Sequence, residues 1–370
     1  MTDRIRIGVV GCGNVADGAY LPLVEKLRQA KRPVEVVAAC HTKRERCQAF
    51  LDRWGIRNFT EDFRELAASP EVDVVLVLTS MREHARVARA ALEAAKHVLV
   101  EKPLATTLEE AAELVALAER SRGLLVAAPF VILSSTFQAI ATRVAQGEIG
   151  KVCLARGRYG WSGPDWAPWF YQPGGGCVFD LAVYNLTSLT ALLGPARRVM
   201  AMTGTAVPER IVRGKALRVE AEDNAQILVD FGEERFAVVT SGFTMQKYRS
   251  PALELYGTEG TIQMLGDDWA PEGYELWRND AGAWQVFEET DRFWSWADGL
   301  RHLVECIERN ERPVVTPEHA YHVLEVMRAA QASERDGRVV EIKSRFTPPD
   351  FRGAARAEVR HDRIHDRRRA

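Results

Sequence analysis

A surplus of charge of one sign is missing from this 370-residue chain: 49 Lys and Arg stand against 51 Asp and Glu, a formal net charge of -2. With no overall field to gather polyanions or a membrane surface, nucleic acid and lipid are excluded as default partners, and a small molecule takes their place. Long hydrophobic runs are missing too, since no apolar stretch reaches the ~20 residues that span a bilayer. The chain enters a strand-like run at Arg4, leaving no room before it for the charged and apolar regions of an export signal. The expectation is a cytoplasmic protein with no membrane contact. Cysteine is present but never clustered: Cys12, Cys40, Cys47, Cys153, Cys177 and Cys306 lie far apart, with no CxxC pair and no Cys/His group at zinc-ligand spacing. Reduced thiols and no metal site follow.

The length is too great for one small core and suits two domains. The first third alternates short apolar runs (IRIGVVG, VEVVAAC, VDVVLVL, KHVLVEK, GLLVAAP) with amphipathic stretches such as 44–54 and 84–95. That βαβα order predicts a parallel sheet covered by helices on both faces. From Lys151 to Glu289 the pattern changes to strand-like segments, among them KVCLARGRY, NAQILVDF, RFAVVTSGF, GTIQML and AWQVFEE, separated by turn signals such as 231–234. A largely antiparallel open sheet with one face on helices is expected there. Late helices at about 296–309 and 317–335 cover that sheet or return to the first domain. The fold class is therefore α/β: an N-terminal dinucleotide-type domain over 1–127, an α+β substrate and oligomerisation domain over 128–350, and an Arg-rich tail, 351–370, expected to be disordered.

Directly after the first strand stands Gly11-Cys12-Gly13-Asn14-Val15-Ala16. In such a GxGxxA turn the first Gly makes the tight bend, the second lets backbone approach a diphosphate, and the small third residue lets helix and strand pack. The helix start offers free N–H groups and partial positive charge, so Gly11, Gly13, Asn14 and Val15 are candidate cofactor contacts in a Rossmann domain. A carboxylate is lacking at the end of the second strand, where NAD-preferring folds grip the ribose hydroxyls. The stretch reads Cys40-His41-Thr42-Lys43-Arg44. His41, Thr42 and Arg44 suit a 2′-phosphate instead, which favours NADP, with NAD as the other possibility and a solvated helix start as the plain alternative.

Lys102, in Glu101-Lys102-Pro103-Leu104-Ala105, follows a strand and faces the crevice where open α/β sheets bind ligands. An ammonium there would stabilise a developing alkoxide. Farther on, Gly174-Gly175-Gly176 precedes a predicted helix over about 178–193 that carries Asp180 and Tyr184 four residues apart, on one face. The combination GVVGCGNVA, LTSMREH, HVLVEKPLA and GGGCVFDLAVYNL, in this order, resembles the glucose-fructose oxidoreductase/inositol dehydrogenase/MocA family across about 5–342.

The resemblance implies that Lys102 sits beside the nicotinamide and the reacting hydroxyl, and that Thr79, Ser80, His84 and Glu101 lie on the cofactor side. His84 reads as helix-start packing there rather than as a catalytic group. Many relatives have histidine where this chain has Tyr184, and a branch including glucose-fructose oxidoreductase and dihydrodiol dehydrogenase has tyrosine. The expected roles are Tyr184 as general acid/base, Lys102 as its electrostatic partner, and Asp180 as the group that orients the lysine or a substrate hydroxyl. The apolar Phe130-Val131-Ile132-Leu133 departs from the family's Asn/Arg-rich signature after its sixth strand. Relatives associate through the open sheet face, so a homodimer or homotetramer is implied.

The aromatic run 159–171 leads into that helix. Aromatic faces stack on the C–H face of sugar rings, so Asp165, Trp166 and Trp169 join Asp180 and Tyr184 as substrate contacts; Trp161 fits substrate or core equally. Trp269, Trp277, Trp284, Trp294 and Trp296 read as core or interface. The function expected is hydride transfer between NADP or NAD and a hydroxyl or ketone carbon of a sugar, glycoside or polyol. Two other readings stand beside it: a redox-neutral enzyme that keeps its nucleotide and oxidises only transiently, and a non-catalytic sensor of NAD(P).

Overall fold

The computed structural model describes residues 4–249, 251–289, 291, 294–351 and 363–365. Two compact units emerge, Met1–Phe130 with Ser295–Tyr321, and Val131–Trp294 with His322–Ala370.

The first unit runs β1 (Ile5–Val10), α1 (Leu21–Gln29), β2 (Val34–Cys40), α2 (Gln48–Trp54), β3 (Asn58–Thr60), α3 (Phe63–Ala68), β4 (Val74–Val77), α4 (His84–Glu93), β5 (His97–Val100), α5 (Leu108–Arg120) and β6 (Leu125–Ala127). Its strands are β-branched and short because they are buried on both faces: Ile7, Val9, Val74, Val75, Leu76, Val98, Leu99 and Val100 have no exposed surface. Each such side chain contributes roughly 1.5–3 kcal/mol through burial. All pairings are parallel, and the order β3-β2-β1-β4-β5-β6 reverses direction between β1 and β4. That switch point opens a crevice at the carboxyl ends, where ligands of such sheets bind. The start of α5 is capped locally: Thr107 Oγ1 accepts the Glu110 N–H at 3.2 Å while the Glu110 carboxylate accepts the Thr107 hydroxyl. The three-residue β3 was not anticipated, being too short to show alternation.

The second unit contains α6 (Ser135–Ala145), β7 (Val152–Gly160), α7 (Val183–Leu193), β8 (Arg198–Gly204), β9 (Glu209–Val212), β10 (Lys215–Arg218), β11 (Asn224–Gly232), β12 (Arg235–Gly242), β13 (Leu253–Gly257), β14 (Gly260–Asp267), β15 (Ala270–Arg278) and β16 (Ala283–Glu288). After them come α8 (Gly299–Arg309), α9 (Pro317–Asp336), β17 (Val340–Glu341) and β18 (Arg363–His365). The sheet order is β17-β8-β11-β12-β7-β13-β14-β15-β16-β18, antiparallel except for the β12/β7 pair. Along β11 the residues alternate, Ala225, Ile227 and Val229 inward and Gln226 and Leu228 outward, which is the period of a sheet with one covered face. At the expected turn, Glu233 and Glu234 both take positive φ, the geometry of a hairpin matched to strand twist. The separate β9/β10 hairpin, closed by Arg213 and Gly214 with positive φ, went unpredicted because its strands are only four residues long and largely exposed.

Three expectations change. The boundary drawn at 127 put 295–321 in the second domain, whereas this segment packs with the first unit, α8 lying against β5, β6 and α1. The helix expected over about 178–193 opens with a wide π turn, Val178–Ala182, before α7 begins. Most of the tail 351–370 lies outside the described residues, and Arg363–His365 pairs antiparallel with β16 rather than standing as unstructured chain.

The α8 contact is close: a Cβ added at Gly299 would meet the ring of Phe130 at 2.3 Å, and both residues lie in the first unit. Gly299→Ala is expected to destabilise that unit by about 1–3 kcal/mol through overpacking. A thermal melt in which the variant matches the parent would contradict this packing.

Candidate functional site

In the first unit the carboxyl ends of β1, β4 and β5 carry the residues singled out in the sequence. Gly11 has φ of +103°, and a Cβ there would lie 2.4 Å from the Leu78 carbonyl, so only glycine lets β1 turn so close to β4. Around Gly13 a Cβ would meet nothing within 4 Å, so the backbone at this point faces open space. Helical structure begins at Asn14 and Val15, and Ala16 is fully buried where helix and strand pack. An accessible glycine backbone at a helix start fits the diphosphate of a dinucleotide.

The Lys102 loop is tied down by two buried groups. Glu101 accepts the Tyr20 hydroxyl at 2.7 Å through one oxygen and the Lys102 N–H at 3.1 Å through the other. His84 lies with Nδ1 2.7 Å from the Pro103 carbonyl and Nε2 3.2 Å from the Thr79 carbonyl. Burial lowers its pKa, while the two carbonyl partners oppose that shift. His84 thus links the loop after β4, which holds Thr79 and Ser80, to the loop after β5 that holds Lys102.

At the end of β2, His41 Nδ1 accepts the Lys43 N–H at 3.1 Å, while Thr42 and Arg44 are exposed. The Arg44 guanidinium lies over the Phe59 ring at 5.1 Å, and its Nε donates to Gln48 at 3.4 Å. A carboxylate does reach this rim, from β3 rather than β2: Glu61 accepts the Arg44 N–H at 3.2 Å.

In the second unit the turn before α7 is shaped by missing side chains. A Cβ on Gly175 would lie 2.4 Å from the Trp169 carbonyl, and one on Gly176, whose φ is +99°, would lie 2.4 Å from the Glu222 carboxylate. Glu222 is held by Gln331 at 3.3 Å, and burial raises its pKa. Asp180 falls in the π turn and is buried; Tyr184, half-buried on α7, meets the Tyr159 ring edge-on with centroids 5.5 Å apart. Burial raises the Tyr159 pKa, and electrostatic coupling to Tyr184 and Asp180 raises it further.

The aromatic run does not form one platform. Trp161 stacks on Trp166 at 5.4 Å, Trp169 on Phe170 at 3.7 Å, and Trp161, Phe170 and Tyr171 all meet Phe243 edge-on. Trp166 keeps 44% of its surface exposed. Asp165 is exposed, and its backbone carbonyl accepts the Arg213 N–H at 2.7 Å.

Sequence reading missed a polar group beside this helix. Asn185, with no exposed surface, donates from Nδ2 to Asp268 at 2.7 Å; Asp268 sits buried in the β14/β15 turn, and its other oxygen has no partner. Burial pushes the Asp268 carboxyl up to about 8, against the hydrogen bond from Asn185 and with the aid of Asp267. Gly157 on β7 makes room for the pair, since a Cβ there would lie 2.7 Å from Asn185. No motif announces it, because the two residues stand 83 positions apart. Trp269, read as core or interface, instead stacks on Tyr159 at 6.3 Å and lines a cavity. Among the described residues no three His, Cys, Asp or Glu gather as a metal would require, and no helix is long and apolar enough to cross a membrane.

Comparison with known proteins matches residues 5–128 to an oxidoreductase family profile described as an NAD-binding Rossmann fold, and residues 137–263 to the GFO/IDH/MocA C-terminal domain. The chain is 29% identical over 319 residues to 1,5-anhydro-D-fructose reductase of Ensifer adhaerens, covering 84% of this chain and 92% of that protein. It is 27% identical over 323 residues to trans-1,2-dihydrobenzene-1,2-diol dehydrogenase of Oryctolagus cuniculus, covering 83% and 92%. Among solved structures, levoglucosan dehydrogenase in complex with NADH and levoglucosan shares the fold, with a TM-score of 0.81 at 20% identity over 92% of this chain and 100% of that one.

The buried Asp268 gives a pH signature. Its native pKa lies above the unfolded value of 3.8, so between about 4 and 8 the native state holds a proton that the unfolded chain has released. Stability from this group therefore falls as pH rises through that window and levels off above it. Asp268→Asn keeps the acceptor for Asn185 and removes the titration. The melting temperature of the variant minus that of the parent is expected to grow from pH 5 to pH 8; a constant difference would show an ordinary carboxylate.

Proposed function

The chain belongs to the Gfo/Idh/MocA family of NAD(P)-dependent oxidoreductases, and from that premise we propose that its substrate is a sugar, glycoside or polyol whose hydroxyl-bearing carbon exchanges a hydride with the cofactor. One observation carries the reading. The open glycine turn at Gly13 and the Lys102 loop, the latter braced by Glu101 and His84, stand at the carboxyl ends of the same sheet. A nucleotide-binding turn alone needs no braced lysine, whereas an ammonium held in place there would stabilise the alkoxide formed in alcohol oxidation.

Gly13, Asn14 and Val15 would hold the diphosphate through backbone N–H groups at the helix start, while Gly11, whose own N–H is donated to the Cys40 carbonyl, makes the turn that brings them there. When bound, the nicotinamide supplies the hydride acceptor or donor. Lys102 stabilises negative charge on the substrate oxygen, Tyr184 takes or returns the hydroxyl proton, and Asp180 orients the polar groups around it. These roles rest on the family resemblance at those positions. Thr79, Ser80, His84 and Glu101 shape the cofactor side, and Asp165, Trp166 and Trp169 are proposed substrate contacts. NADP is the favoured cofactor, supported by the lack of a carboxylate over 40–44 and by the exposed Arg44; Glu61 at the same rim keeps NAD as the competing partner.

A second copy of the chain is the proposed partner. Leu154, Met200, Met202, Leu228 and Phe236 are exposed on neighbouring strands β7, β8, β11 and β12, and Met202 keeps 79% of its surface. Such a contiguous outward apolar face marks an association surface. Light scattering on the parent and on Leu228→Glu is expected to show an oligomer shifted toward monomer; a monomeric parent would remove the proposal.

The activity is tested by following reduced nicotinamide absorbance with NADP or NAD and a panel of sugars, polyols and glycosides. Lys102→Met and Tyr184→Phe are each expected to lower kcat/KM by roughly 100-fold or more, the usual range for positioned acid/base groups. Arg44→Ala is expected to weaken use of NADP while sparing NAD. Full turnover in both active-site variants would overturn the assigned roles.

A further inference from the structure

The second unit holds a cavity of about 600 Å³, within the size range of small-molecule sites, lined by Tyr159, Trp161, Lys247, Tyr248, Asp267 and Trp269 among others. Of the residues weighed from sequence as substrate contacts, only Trp161, which fitted substrate or core equally, lines it. Its walls are built rather than incidental. A Cβ at Gly160 would lie 2.4 Å from the sulfur of Met245, so glycine lets the segment after β12 close against the end of β7. Tyr248, on that segment, donates its hydroxyl to Asp267 at 2.5 Å, which ties it to the β14/β15 turn. Trp269 stacks on Tyr159 at 6.3 Å with planes 24° apart.

The lining combines four aromatic faces with a carboxylate and the cations Lys247 and Arg249. Flat aromatic surface suits the C–H face of a pyranose, and mixed acceptors and donors suit its hydroxyls. An apolar ligand would leave the polar groups unpaired, and a planar dianion would meet Asp267. Tyr159 is the side chain common to both places: it lines the cavity, and its ring lies 5.5 Å from that of Tyr184.

We propose that this cavity is a second glycosyl subsite, which holds a neighbouring sugar ring of a glycoside while the reacting ring lies at Tyr184. The inference rests on the sugar-oxidoreductase reading and deepens it: the preferred substrate has at least two rings. Asp267 and Trp269 are then specificity residues, and neither belongs to the proton- or hydride-transfer machinery.

The test compares methyl β-glucoside, cellobiose and maltose as probes, with the parent, Asp267→Asn and Trp269→Leu. For the parent, kcat/KM on the better two-ring probe is expected to exceed that on the one-ring probe at least tenfold. Each variant is expected to cut that advantage to threefold or less while leaving one-ring turnover within twofold. Equal turnover of one- and two-ring probes by the parent overturns the subsite, as does a variant that lowers both alike. If no probe is turned over with either cofactor, the activity reading fails separately, and titration calorimetry decides the subsite. Cellobiose or maltose binding that the parent shows and Trp269→Leu loses supports it; no binding of either disaccharide to the parent overturns it.

Discussion

The first unit depends on one close approach, the passage of the β1 backbone past the Leu78 carbonyl at Gly11. No side chain fits there, and the positive φ is open to glycine alone at little cost. Because the chain can turn at this point, the following helix starts directly after β1, which borders the switch point between β1 and β4. A wider turn would carry the helix start away from the strand ends and leave the Lys102 loop without a neighbouring anion site. The same economy appears in the bracing of that loop. One buried carboxylate, Glu101, satisfies both a tyrosine hydroxyl and the lysine's own backbone, and one buried histidine lies between the carbonyls of two successive loops.

In the second unit the equivalent constraint is the run of glycines before α7. They allow the chain to press against the Trp169 carbonyl and the Glu222 carboxylate, and the π turn that follows holds a buried Asp180. Around this helix start polar groups are buried: Asn185, Asp268 and Asp180 have almost no exposed surface, and Glu222 is half-buried. Such groups destabilise a fold unless paired, and the raised pKa values of Glu222 and Asp268 express the cost of ionising a carboxyl away from water. Tyr159 feels part of this cluster, since Asp180 and Asp268, with Tyr184 and Asp267, add to the effect of burial in raising its pKa.

The aromatic residues show how one composition serves two ends. Phe170 and Tyr171 gather on Phe243 and are buried, whereas Tyr159, Trp161, Tyr248 and Trp269 leave ring surface facing a cavity. Density of Trp and Tyr in the sequence marked the region correctly as a place of ring contacts. It could not separate rings that pack on one another from rings that present a face to a ligand, because that depends on strands far apart in the chain.

Local sequence determined the alternation of strands and helices in the first unit, the GxGxxA turn, the strand-like segments of the second sheet and the positions of Lys102, Asp180 and Tyr184. Each of these is written in side-chain period or backbone permission, which act over a few residues. Only the tertiary structure decided that 295–321 packs with the first unit, that a carboxylate reaches the Arg44 rim from β3, that Asn185 meets Asp268, and that Trp269 lines a cavity. Those facts join residues separated by long stretches of chain. Burial, which sets both their contacts and their charge states, exists only once the sheets have assembled.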